Sequence, residues 1–194
     1  MSQIDSLRDD LDFVSRVARH NDQPRGVPAI YFLWAVLVAV GFALPDFAPH
    51  VAGPYWFVAG IGGGLLSWWL GDRHARKAGF SNKALGRRYA MHWTLGGVGF
   101  MLAALPFFTG RGELASVTGS FLLVAGLVYA LAGVHLERPL LWSGLLMLAG
   151  YAVLQIFTPP WLWTITGIVI AISLLWAGIA AQRQSLPEAP VERP

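Results

Sequence analysis

Long apolar runs separated by short polar ones dominate the chain. Six of them, residues 27 to 44, 51 to 71, 89 to 105, 114 to 134, 139 to 157 and 160 to 181, contain no Asp, Glu, Lys or Arg. Each has about the ~20 residues that a helix needs to cross a hydrocarbon layer of ~30 Å. A backbone in hydrocarbon must satisfy its own hydrogen bonds, and none of the runs shows the strict polar and apolar alternation of a membrane barrel strand. The pattern therefore predicts an all-α, polytopic membrane protein with six transmembrane helices, arranged as three consecutive helical hairpins over residues 27 to 182. The linkers predicted on one side of the membrane are short, which leaves no room there for a receptor or catalytic domain.

A different periodicity precedes the first run. Ile4, Leu7, Leu11, Val14 and Ala18 recur at alternating spacings of three and four, which places them on one stripe of a helix. Ser2 with Asp5 suits a helix start, and the acidic residues come early while Arg16 and Arg19 come late, as the helix dipole favours. Residues 1 to 26 thus read as an amphipathic cytoplasmic helix followed by a hinge at Pro24 and Gly26, and residues 183 to 194 as a disordered cytoplasmic tail. A helix lying on a membrane usually has a basic polar face, whereas this one carries Asp5, Asp9, Asp10 and Asp12. Ile4, Leu7, Leu11 and Val14 are accordingly expected to dock on the protein's own inner loops or on a partner helix, including that of a homodimer, ahead of lipid.

Charge fixes the expected orientation. Of 14 basic residues only Arg111 falls on one side of a six-span topology, and by the positive-inside rule both termini are cytoplasmic. The loop with Arg73, Arg76, Lys77, Lys83, Arg87 and Arg88 is opposed only by Asp72, which predicts contact with anionic lipid headgroups. It also offers a docking place for the Asp-rich helix or an acidic partner. Composition agrees: 55% of residues are hydrophobic and 13% charged, about half the ~25% usual for soluble domains. A soluble enzyme, a disordered regulator and a nucleic-acid binder are disfavoured on these grounds. The chain has no cysteine, which removes disulfides and thiolate chemistry. Trp56, Trp142, Trp161 and Trp163, near predicted span ends, fit an interfacial aromatic belt.

The runs echo one another. Gly41-Phe42, Gly99-Phe100 and Gly150-Tyr151 recur in the odd runs, each followed within ten residues by Pro45, Pro106 or Pro159. Val58-Ala59-Gly60-Ile61 and Val124-Ala125-Gly126-Leu127 recur in the even ones, with Val169-Ile170-Ala171-Ile172 a weaker copy. From Gly96-Gly97-Val98-Gly99-Phe100 through Leu105-Pro106-Phe107 to Gly119 and Gly133, this pattern resembles the hairpin repeat of the HdeD-type acid-resistance membrane proteins. The resemblance covers about residues 89 to 182 and leaves out the charged N-terminal extension and the basic loop. It implies a small bacterial six-span protein with a stress-associated role, and it supplies no catalytic residues. Gly60-x-x-x-Gly64 and Gly167-x-x-x-Ala171 predict close helix packing, within the monomer or, as the alternative, across a homodimer face.

Candidate chemistry is sparse. Ionisable residues inside membranes usually mark ion paths or proton relays, and the span cores hold none, which argues against proton-coupled transport. His74, His92 and His135 fall near the expected cytoplasmic interface with Asp72 and Glu137, where they could meet as a metal site or a proton sensor. Haem ligation by two of them is less favoured, because axial ligands are normally buried between helices. Gln155 is the one amide in a span, and with Tyr151 it could line a small polar cavity. The sequence thus predicts a non-enzymatic inner-membrane protein without cofactor, acting through its cytoplasmic face on a protein partner, with lipids around it and no nucleic acid. A channel or uncoupled carrier for a small neutral solute is the alternative. A lipid-directed enzyme with His92 as base would need a second catalytic group that the sequence does not show.

Overall fold

A computed structural model of the chain describes residues 26–78, 83–111 and 114–184. The predicted N-terminal helix with Ile4, Leu7, Leu11 and Val14, the side chains of Lys77 and Lys83, and residues 185–194 of the tail lie outside the described part. Six helices are present there: α1 (Pro28–Phe47), α2 (Pro49–Ala78), α3 (Lys83–Phe108), α4 (Leu114–His135), α5 (Arg138–Ile156) and α6 (Leu162–Gln184). Each coincides with one apolar run. The second and third extend well past theirs, to 30 and 26 residues, because the basic segment between them continues the helices rather than forming a loop.

Four helices meet both the length and the hydropathy of a membrane span: α1, α4 from Val117, α5, and α6 as far as Arg183. The chain is on that ground a multi-pass integral membrane protein. These four also build the core. α1 packs most extensively on α6 and α4 on α5, with α5 and α4 both touching α6. Their shared interior holds Leu122, Leu140, Met147 and Leu174, each essentially inaccessible. Among the described residues α2 packs only on α1 and α3 only on α4, so these two stand at the flanks of the described bundle.

Small residues set where helices meet. Gly126 and Gly133 of α4 face Leu148 and Leu141 of α5, and Gly144 of α5 faces the backbone of Ala130 and Gly126. A Cβ on Gly133 or Gly144 would collide with main-chain atoms, so the two backbones touch there. Gly167 admits the Cβ of Phe42 and the Val38 carbonyl, which makes the Gly167-x-x-x-Ala171 stripe an internal contact of α6 with α1. Packing within the monomer fails for Gly60-x-x-x-Gly64, since both glycines face open space and it is Gly63 that packs on Leu37 and Trp34. The recurring glycines mark successive helix contacts: Gly41 meets Tyr55 and Trp56 on α2, Gly99 meets Val124 on α4, and Gly150 meets Val169 on α6. Val124 and Val169 occupy matching places in the echoed motif. The first pair departs from it, and Val58 is 71% exposed.

The tryptophans divide. Trp142 and Trp161 are 66% and 61% exposed, as an interfacial belt requires, but Trp163 is buried and Trp56 is packed against the core. Phe42 gathers Trp56, Phe121 and Trp163 at centroid distances of 5.6 to 5.7 Å, the first two edge-to-face and the third tilted, in a cluster that joins α1, α2, α4 and α6. Nearby, α6 starts without a local cap. Trp161, at φ 59°, has no acceptor side chain, and Asp46 of α1 supplies one instead, accepting from the Thr164 backbone N–H at 2.8 Å and its hydroxyl at 2.7 Å. Asp46→Ala should therefore lower stability by about 1–2 kcal/mol, the usual cost of losing an N-cap. Thermal unfolding in detergent micelles checks this, with Asp46→Asn expected to lose less.

Candidate functional site

At the opposite end of the bundle a carboxylate is buried where the chain turns from α4 into α5. Ala132 closes α4 by accepting from the N–H groups of Leu136 and Glu137, and Pro139 starts α5. This leaves Glu137 in extended conformation at the N-cap position. Its side chain does not cap its own helix. It turns into the bundle and is only 5% exposed. There Oε2 accepts from the Tyr31 hydroxyl of α1 and Oε1 from the Tyr89 hydroxyl of α3, both at 2.8 Å. The Gly26 backbone N–H also bonds to the carboxylate. A Cβ on Gly26 would meet the Tyr31 ring and hydroxyl at 2.8 Å, so only glycine lets the chain pass this close. Gly26, expected as part of a hinge, is a buried and pinned residue.

Burial raises the Glu137 pKa above its ordinary value of 4.5, and the bonds from Tyr89, Tyr31 and Gly26 offset part of that rise by favouring the charged form. The arrangement is a three-point tie. One carboxylate joins α1, α3, the turn between α4 and α5, and the point where the preceding segment enters the bundle. In sequence Glu137 stands only as an acid near the interface, beside the candidate histidines. What buries it comes from residues 48 and 106 positions away.

The histidines separate. His92 and His135 line one cavity of about 330 Å³ with Arg88, Met91 and Leu136, between α3 and α4. His92 Nε2–H donates to the Val128 carbonyl at 3.0 Å, which sets its tautomer. His74 instead lines a cavity of about 420 Å³ with Val27, Phe32, Leu70 and Arg73. Among the described residues no three His, Asp or Glu side chains come together as a metal site. Of the basic segment, Arg76 pairs with Asp72 one turn away, Arg73 lies over the Trp69 ring at 5.2 Å, and Arg87 and Arg88 are exposed. Gln155 and Tyr151 lie against Gly119 of α4, Gln155 on the exposed surface, and neither lines the two cavities above. Ser143 bonds to the Ser173 carbonyl of the facing helix, while Thr166 and Ser173 bond back to their own. The chain matches no family model, no curated protein and no solved structure.

Proposed function

We propose that this protein is a six-span, non-enzymatic element of a bacterial inner membrane that recruits or senses through its cytoplasmic face. The Glu137 tie carries this reading. It couples the entry of the N-terminal segment, at Gly26, directly to three parts of the bundle, so a partner that binds the segment acts on the helices through one buried group. α2 and α3 count as spans in this reading because 30 and 26 residues of helix reach ~45 and ~39 Å. Both also expose apolar side chains such as Val58, Leu65, Leu95 and Met101. The Glu137 end carries the basic residues of α2, α3 and α6, and the Asp46 end carries Arg111, which favours a cytoplasmic Glu137 end.

The natural absence of cysteine makes orientation directly testable. Ala75→Cys and His50→Cys place single thiols at exposed positions of opposite ends. In intact cells a membrane-impermeant maleimide should label the second and reach the first only after permeabilisation; the reverse pattern overturns the orientation. The recruiting role is read separately. A photo-reactive probe at Leu7 or Leu11 of the full chain should cross-link a soluble protein in the native host, and removing residues 2 to 20 should leave insertion and labelling unchanged while abolishing co-purification of that protein. The absence of any such cross-link in the full chain overturns the role.

A further inference from the structure

We propose that the groove between α3 and α4 at the Glu137 end is a binding site for the phosphate headgroup of an anionic membrane lipid, with Arg88 and His135 as its donors and His92 in its wall. The cavity's 330 Å³ lies within the ~300–1,000 Å³ of ordinary ligand sites. Arg88 presents the planar fork that binds a phosphate through two parallel N–H groups. His92 lies one turn below it, held by the Val128 carbonyl, and His135 ends α4 on the other wall. His135 adds a ring nitrogen able to donate to a phosphate oxygen, while His92, its Nε2–H committed to the Val128 carbonyl, forms part of the wall. The nearest carboxylate does not compete: Glu137 is turned inward, with its oxygens taken by Tyr31 and Tyr89.

A lipid fits better than a free anion because the polar groups stand at the head of an apolar track. Met91 is continued at helical spacing by Leu95, Val98 and Leu102, and His135 by Leu131 and Leu127, all of them between 47% and 69% exposed where they are apolar. An acyl chain below the headgroup would cover these side chains, whereas phosphate alone would leave them untouched. Basic recesses between spans at the cytoplasmic interface are the general setting for such recognition. The site rests on the orientation given above only for which leaflet it faces.

The full-length protein, purified in a zwitterionic detergent, is titrated with phosphatidylglycerol and phosphatidylcholine of equal chain length, and bound lipid is counted by native mass spectrometry. Phosphatidylglycerol should bind about tenfold more tightly than phosphatidylcholine, and Arg88→Gln should remove roughly that factor, as loss of a charge-assisted pair does. Arg88→Lys should fall between, His135→Gln should lose severalfold, and Arg76→Gln, at the same end on α2, should bind as the unsubstituted protein does. Equal loss in Arg76→Gln, or none in Arg88→Gln, overturns the site in favour of a diffuse basic surface. Inorganic phosphate binding as tightly as phosphatidylglycerol overturns the lipid and leaves a soluble anion. Loss in Arg88→Gln together with maleimide labelling of Ala75→Cys in intact cells keeps the site and moves it to the other leaflet.

Discussion

Gly144→Leu should prevent the native bundle from assembling. At this position a side chain has nowhere to go, because the neighbours are the main-chain atoms of Ala130 and Gly126 on the facing helix and not a flexible side-chain end. Overpacking that side chains can absorb costs about 1–3 kcal/mol. Here α4 and α5 must move apart, which also opens the contacts of the inaccessible Leu140 and Met147, so the loss should exceed about 3 kcal/mol. Gly60→Leu is the matched control. Its Cβ enters open space, and the change should stay within about 0.5 kcal/mol, as surface substitutions do. Unfolding by denaturing detergent in mixed micelles, followed by tryptophan fluorescence, separates the two. Comparable losses in both would mean that Gly60 is covered by something outside this chain's own fold.

This pair of glycines also shows where sequence reading stops. Gly60-x-x-x-Gly64 and Gly126-x-x-x-Ala130 look alike in sequence, but one stripe faces outward while the other meets the backbone of the facing helix at Gly144. Spacing reports that a face is small, and tertiary packing decides whether anything meets it. The runs of uncharged residues located all six helices, since a backbone removed from water must satisfy its own hydrogen bonds. The recurring Gly41, Gly99 and Gly150 likewise marked contacts between neighbouring helices. The dominant pairing of α1 with α6 was not legible, because it joins the first and last helices and leaves no local pattern. Trp163 misled for a related reason: a tryptophan near a span end looks interfacial, and only the approach of Phe42 and Phe121 draws it inward. Asp46 and Glu137 were visible as acids beside apolar runs. Their partners, Thr164 and the two tyrosines, lie far away in the chain.

Glu137→Ala should cost at least about 3 kcal/mol, because it strands the buried hydroxyls of Tyr31 and Tyr89 and the Gly26 N–H at once, each worth about 1–3 kcal/mol when left unpaired. Glu137→Gln keeps one acceptor and the side-chain volume, and should cost about 1 kcal/mol near neutral pH. The two variants differ more sharply in their pH dependence. Burial raises the folded-state pKa of Glu137 above its ordinary 4.5, so between the two values the folded protein binds more protons than the unfolded one. Stability must then fall as pH rises. The contribution is fully present below about 4.5 and is lost as pH climbs through the raised value. The phenols of Tyr31 and Tyr89 that face the carboxyl stay neutral across that window and act on it as hydrogen-bond donors. Thermal unfolding midpoints in micelles from pH 4 upward should decline in the unsubstituted protein, and the decline should flatten in Glu137→Gln. An equal slope in both would place the pH response elsewhere. A flat line in both would mean that the tie holds whether or not its carboxyl is ionised. If the slope belongs to Glu137, the group that pins Gly26 to the bundle also registers pH.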